Sequence, residues 1–159
     1  MKEIINPILR CPKLAGIQPI YDKNCELLML GSITATDGMN KGFYYASNKN
    51  QLWQLLDLSL NTSCFSDLKH ELKINYENFK RGKISNLQFE QQKELIKQRF
   101  SHELLTRKIA MCDVFTECYF NNNSSMDVDI ILNNTNYPYK TSKETLQNIL
   151  NNSNIKTIV

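Results

Sequence analysis

Short apolar runs alternate along this chain with longer stretches of helical periodicity. Glu26-Leu27-Leu28-Met29-Leu30 ends at Gly31-Ser32 and reads as a buried strand that stops at a tight turn. Gln51 to Leu60 carries Leu52, Trp53, Leu55 and Leu56, which predicts a helix with one crowded apolar face. Farther on, Leu68, Leu72, Tyr76 and Phe79, then Phe89, Ile96, Phe100 and Leu104, recur at helical spacing. Two amphipathic helices, Asp67 to Lys80 and Ser85 to Lys108, joined at Gly82, account for that pattern. Ser85 and Gln88 have the spacing of a capping box, in which each side chain satisfies the other residue's free backbone N–H. Ile109 to Phe115 is a second apolar run. Thr141 to Glu144 repeats the capping-box spacing ahead of Leu146, Ile149 and Leu150, and Ile155 to Val159 is a third β-rich run. Strands separated by helices predict an α/β fold with right-handed crossovers and a central parallel sheet covered on both faces, a three-layer α/β/α arrangement. Ligands of such sheets bind outside the carboxyl ends of the strands. That rule points to Gly31 onward and to the segment after Phe115.

With 159 residues, 42% of them hydrophobic and 22% charged, residues 1–159 fit one domain with a packed core, not a disordered or fibrous chain. No apolar run approaches the ~20 residues of a membrane span, and the start, with Lys2, Glu3 and Asn6, has no signal-peptide core. A soluble, cytoplasmic protein is expected. Cys11, Cys25, Cys64, Cys112 and Cys118 form no C-x-x-C pair and are odd in number, against both a zinc ribbon and a disulfide framework. Reduced thiols are expected, with no metal and no cofactor. The 19 asparagines are spread along the whole chain, so none is functional on frequency alone. The net charge of +3 is uneven: residues 66 to 108 hold ten Lys/Arg against six Asp/Glu. A solvated helical hairpin explains this, and a phosphate-facing surface is the alternative.

The segment from Gly31 to Trp53, GSITATDGMNKGFYYASNKNQLW, is the richest in chemistry. It holds turn glycines, the acid Asp37, the aromatic cluster Phe43, Tyr44 and Tyr45, and Asn50 ahead of a helix. Neither a G-x-G-x-x-G fingerprint nor a P-loop is present. An aromatic platform beside amide and carboxylate groups suits a flat heterocycle, which stacks on a ring while polar groups read its edge. Equally, Phe43, Tyr44 and Tyr45 can be aromatics closing the end of the sheet, and Asn50 a helix cap.

Pro19-Ile20-Tyr21-Asp22, Leu28 to Ser32, Gly42-Phe43-Tyr44-Tyr45-Ala46 and Asn50-x-x-Trp53 together resemble the N-terminal half of the uracil-DNA glycosylase superfamily, and within it the hypoxanthine (deoxyinosine) DNA glycosylase branch. The resemblance resumes at Ile109 to Val114 and continues to Ser124-Ser125-Met126-Asp127. It implies hydrolysis of the bond between a deaminated base and deoxyribose, in DNA, after the nucleotide is swung out of the helix. It further implies a catalytic, water-positioning role for Asn50, and a base pocket bordered by Gly31, Ser32, Phe43, Tyr44 and Tyr45. Tyr45 is the first choice for stacking, because adjacent loop aromatics rarely face the same way. Asp37 either holds water or caps a turn with Gly38. Ser125 and Asp127 contact DNA phosphate or support the pocket, Asp127 equally being a loop cap. Trp53 and Cys112 are assigned to packing.

Two departures matter. Where the family usually has Pro soon after Gly-Ser, this chain has Ile33-Thr34-Ala35. Ile155 to Val159 resembles the family's third strand, and the family's later Asn-Gly loop, last strand and Ser/Pro-rich loop are not in the sequence. A shortened or cut glycosylase, a small protein that kept the fold and lost the chemistry, and a chain completed by another chain are the three readings. In the last, self-association or a partner covers the C-terminal strand edge. A DNA glycosylase therefore stands against a non-catalytic nucleobase- or DNA-binding module, and against an interaction protein with no nucleic-acid role.

Overall fold

The structure, a computed structural model, describes residues 7–121, 130–132 and 134–159. In chain order its elements are β1 (Pro7–Arg10), β2 (Leu27–Gly31), α1 (Thr36–Lys41), α2 (Leu52–Leu60), α3 (Cys64–Lys80), α4 (Asn86–Thr106), β3 (Ile109–Asp113), β4 (Phe115–Asn121), β5 (Lys140–Thr141), α5 (Lys143–Asn152) and β6 (Thr157–Ile158). The protein is mixed α/β, and its central sheet is parallel. β2 runs between β3 and β6, in register from Leu27↔Ile109 to Gly31↔Asp113 on one side and at Leu27↔Thr157 and Leu28↔Ile158 on the other.

Alternation along these strands explains why they read as continuous apolar runs: both faces are covered. Met29, Ile109 and Met111 point into a core with Trp53 of α2, Phe65 of α3 and Phe100 of α4. Leu28, Ala110 and Cys112 point the other way, against Ile149 of α5. Trp53 is the hub of the first core, with ring centroids 4.9 Å from Phe100, 5.5 Å from Phe65 and 5.9 Å from Phe43. Asp57 near the end of α2 fixes the next helix, accepting from the backbone N–H groups of Phe65 at 3.1 Å and Ser66 at 2.7 Å. A carboxylate there satisfies donors that the first turn of α3 leaves unpaired and complements the helix dipole.

The sequence reading is right for the central helices. The Ser85–Gln88 capping box is present in both directions, and α3 and α4 bury Leu68, Leu72, Phe89, Ile96, Phe100 and Leu104. Other readings need correction. The helix cap of α5 is Ser142, with no side-chain hydrogen bond, so the Thr141–Glu144 box does not form. Leu55 of α2 is exposed, not part of the buried face. The run that continues past Asp113 leaves the parallel sheet. Phe115 starts β4, which pairs antiparallel with β1 from Pro7↔Asn121 to Arg10↔Cys118 and with β5 on its other side. Pro7 is tolerated because β1 is an edge strand. In the parallel sheet, Ile20 closes the outer side of β3 by two backbone hydrogen bonds with Met111. β6 is the other outer strand, where the sequence reading expects a partner or second copy.

Candidate functional site

The connection from β2 to β3 passes through the helices on the Trp53 face, whereas the connection from β3 back to β6 passes through α5 on the opposite face. Where neighbouring strands send their connections to opposite faces, a crevice opens at the carboxyl ends. A cavity of about 360 Å³ lies there, and Gly31, Ser32, Thr34, Tyr44, Tyr45, Asn50 and Asp113 are among the residues lining it.

Gly31 makes the convergence possible. A Cβ at this position would stand 2.3 Å from Asp113 Oδ1 and 2.7 Å from Tyr45 Oη, so only glycine lets both side chains reach the end of β2. Asp113 is buried, and its Oδ2 accepts from the Thr34 hydroxyl at 2.7 Å. Tyr44 is buried too. Burial, and then the neighbouring Asp113, Cys112 and Tyr45, hold its hydroxyl far above the usual tyrosine range, so it stays protonated. The Tyr44 carbonyl accepts from Trp53 Nε1–H at 3.2 Å, which ties this segment to the aromatic core.

Asn50 sits at the cavity wall just before α2. Its Oδ1 accepts from the backbone N–H of Leu52 at 2.8 Å, and its backbone carbonyl accepts from Lys69 Nζ of α3. Lys41 anchors the same segment: its ammonium donates to Ala46 O at 3.1 Å, Asn48 Oδ1 at 3.0 Å and Asp37 Oδ2 at 2.9 Å. Residues 46 to 50 are thus held from behind by two lysines, one from α1 and one from α3.

Of the residues named from the sequence, Gly31, Ser32, Tyr44, Tyr45 and Asn50 line this cavity. Asp37 does not. It lies in the first turn of α1 and faces a neighbouring cleft, where Lys41 and the Asn48 N–H engage its Oδ2. Phe43 is likewise a correction: it is buried in the core, stacked on Phe100 with centroids 4.4 Å apart, so it cannot stack on a ligand in this cavity. Tyr44 and Tyr45 both line the cavity, the Tyr44 ring edge-on to Phe43 and the Tyr45 ring edge-on to Trp53, with Tyr45 at a left-handed φ of 49°. Ser125 and Asp127 lie outside the described residues. Asp113 and Thr34 were missed as site residues. A carboxylate closing an otherwise apolar strand was the available signal, since buried acids need a reason. Trp53 and Cys112 are fully buried, as packing residues are.

Among the described residues no group of three or more His, Cys, Asp or Glu is arranged to hold a metal ion, and no helix is long and apolar enough to cross a membrane. All five cysteines are free thiols. No family model matches the chain, and no solved structure matches it. A hypoxanthine DNA glycosylase of Methanosarcina barkeri is 36% identical over 76 residues. The match covers 45% of this chain and 44% of that relative, so the chain spans less than half the length of the protein it resembles.

Proposed function

We propose that this cavity takes a flipped deaminated base with its deoxyribose, and that the chain is a base-excision DNA glycosylase with a uracil-DNA glycosylase-like fold. Hypoxanthine is the first candidate base, and uracil or xanthine the next. The observation that carries this reading is the convergence of Gly31, Ser32, Tyr44, Tyr45 and Asn50 on one cavity at the carboxyl end of a parallel sheet. Partial similarity to a hypoxanthine DNA glycosylase supports it. At about 360 Å³ the cavity is at the small end of the roughly 300–1,000 Å³ typical of small-molecule sites, a size for one nucleoside.

In this reading water attacks C1′ of the sugar while the bond from C1′ to the base nitrogen breaks, its electron pair leaving on the base. The water's proton passes to solvent or to the departing base. Positive charge develops on the sugar and negative charge on the base, so fixed groups of opposite sign lower the barrier. Asn50 orients the water through its amide oxygen, which has a second lone pair beyond the one used by Leu52 N–H. The Asp113 carboxylate and the Tyr44 hydroxyl, kept protonated, line the same cavity as the fixed acceptor and donor available to a bound nucleoside.

The test uses duplexes with one inosine, deoxyuridine or deoxyxanthosine, incubated with protein and then cleaved with alkali at abasic sites. Release from the inosine duplex is expected, falling about 10²–10³-fold in Asn50→Ala, the range for removing one positioned polar group. Asn50→Ser keeps a side-chain oxygen able to accept from Leu52 N–H and loses the amide, and should fall as far while melting like the wild type. Equal turnover by Asn50→Ala would remove Asn50 from the mechanism. The engagement of Asn50 Oδ1 by Leu52 N–H favours one second reading, a non-catalytic nucleobase-binding module. That reading gains if damaged duplex binds and no abasic site forms.

A further inference from the structure

The basic surplus of the central helices is not evenly neutralised. On and around α4 the cations have carboxylate partners: Lys93 with Glu90, Lys97 with Glu94, Arg99 with Glu71, Arg107 with Glu103 and Lys108 with Glu26. On α3, Ser66, Lys69, His70, Lys73, Tyr76 and Lys80 recur at helical spacing and line two adjoining clefts that share Asn48 and Lys73. Five cations face these clefts (Lys41, Lys69, Lys73, Lys80, Arg81) against two carboxylates, Asp37 and Glu77. The surplus of three equals the net charge of the whole chain. Both carboxylates are already taken, Asp37 by Lys41 at 2.9 Å and Glu77 by Lys73 at 3.8 Å. Among the described residues Lys69, Lys80 and Arg81 form no ion pair. Burial, and after it the neighbouring Lys41, holds the Lys69 ammonium below the usual lysine range.

The stripe begins at the candidate site, because Lys69 grips the Asn50 carbonyl. From Lys69 to Lys80 is about 16 Å at 1.5 Å per residue, close to five base steps of about 3.4 Å along one DNA strand. We infer that this face of α3 is a track for the phosphates of the DNA strand flanking the nucleotide in the cavity, with Lys73, Lys80 and Arg81 as its contacts. The inference rests on the DNA reading above and adds where the strand runs. It requires no base contacts along α3, so it contributes affinity and orientation without sequence preference.

The test is fluorescence anisotropy on a labelled duplex with no damaged base, at about 50 and 200 mM KCl, with Lys73→Gln/Lys80→Gln/Arg81→Gln as the variant. Three lost contacts, at about 0.9 of salt slope each, should make the wild-type advantage shrink by roughly 40-fold across that fourfold change in salt. Lys69 is left intact because it holds Asn50. Glu77→Gln, which removes an anion from the stripe, should tighten binding, and Lys97→Gln on α4 should leave it unchanged. Parallel salt dependence of wild type and triple variant would overturn the inference. So would loss of binding to phosphatidylserine vesicles with DNA binding unchanged, which would make the surface a membrane contact. Because undamaged DNA is the probe, the track and the glycosylase reading fail separately. Salt-sensitive binding without abasic sites defeats only the catalysis, and abasic sites with an unchanged salt slope defeat only the track.

Discussion

Gly31→Ala is the most informative single change, because it adds one methyl group where two polar side chains converge. The new Cβ would meet Asp113 Oδ1 at 2.3 Å and Tyr45 Oη at 2.7 Å, both far inside contact distance. Tyr45 can swing its ring end, but Asp113 is a short, buried side chain held by the Thr34 hydroxyl at 2.7 Å. Overpacking of this kind costs about 1–3 kcal/mol, and loosening a hydrogen bond to a charged, buried group adds about 1.5–3 kcal/mol. Taking about 3 kcal/mol for the sum, Tm should fall by about 6–12 °C, at about 2–4 °C per kcal/mol for a chain of this size. Calorimetry or a CD melt measures this, and Gly82→Ala is the comparator. Gly82 has φ of 67° but nothing within 4 Å of its added Cβ, so it reports left-handed backbone strain alone, about 1–2 kcal/mol. The Gly31 loss should be partly recovered when Tyr45→Phe removes one of the two obstructing oxygens, a coupling that distant sites do not show. A Gly31→Ala protein melting within about 2 °C of wild type would refute the claim that this glycine is required by close approach.

Two further outcomes follow from the same segment and from the sheet. Lys41→Met removes an ammonium only 3% exposed that holds three acceptors, and should cost about 2–4 kcal/mol in urea denaturation by leaving the Ala46 carbonyl buried without its donor. Asp37→Asn should cost under about 1 kcal/mol, since that carboxylate is 44% exposed; equal losses would contradict the anchoring role. Glu26 receives hydrogen bonds from Lys108 and Lys156, which hold its carboxyl at about 2 instead of the ordinary 4.5. A depressed folded pKa means the contribution is complete above about pH 4.5 and is lost as pH falls toward about 2. NMR titration of the Glu26 carboxyl should show the low midpoint, and Glu26→Gln should flatten the acid limb of the Tm–pH curve; a midpoint near 4.5 would remove this tie between β6 and the sheet.

The parts of the fold visible in the sequence were those where burial imposes a long period. Leu68, Leu72, Phe89, Ile96, Phe100 and Leu104 each recur on one helical face, so α3 and α4 were legible almost residue by residue. β2 and β3 were visible because both of their faces are covered. β6 falls inside the β-rich run Ile155 to Val159 read from the sequence, whereas β5, at two residues, carries no period, and β4 was hidden by continuity with the apolar run before it. Its own signal was the alternation that buries Cys118 and Phe120. At the site, the loop residues were legible from their chemistry, but Phe43 and Asp37 were not separable from their neighbours. Whether an aromatic faces a cavity or a core depends on the turn of the backbone, here set by Gly42 at φ of 76° and Tyr45 at φ of 49°. Asp113 escaped because its partner Thr34 is 79 residues away in sequence, a pairing that only the β2–β3 register creates.

The sequence left Asn50 divided between helix cap and catalytic group, and the structure makes Gln51 the cap of α2, with Asn50 one residue before it accepting from Leu52 N–H across a local turn. A free asparagine amide rotates, and a water bound to a rotating amide is poorly aimed. Accepting from Leu52 N–H occupies one lone pair of Oδ1 and fixes the plane of the amide, leaving the second lone pair and both N–H donors in a known orientation. Lys69 fixes the same residue's carbonyl from α3, and Lys41 fixes Ala46 and Asn48 just before it. One bond thus both occupies part of the Asn50 amide and fixes its plane, and the Asn50→Ala and Asn50→Ser assays decide which of the two governs its role. Lys41 and Lys69 are engaged with this segment, whereas the proposed phosphate contacts are Lys73, Lys80 and Arg81, so alignment of Asn50 and strand binding along α3 draw on different charges of adjoining clefts.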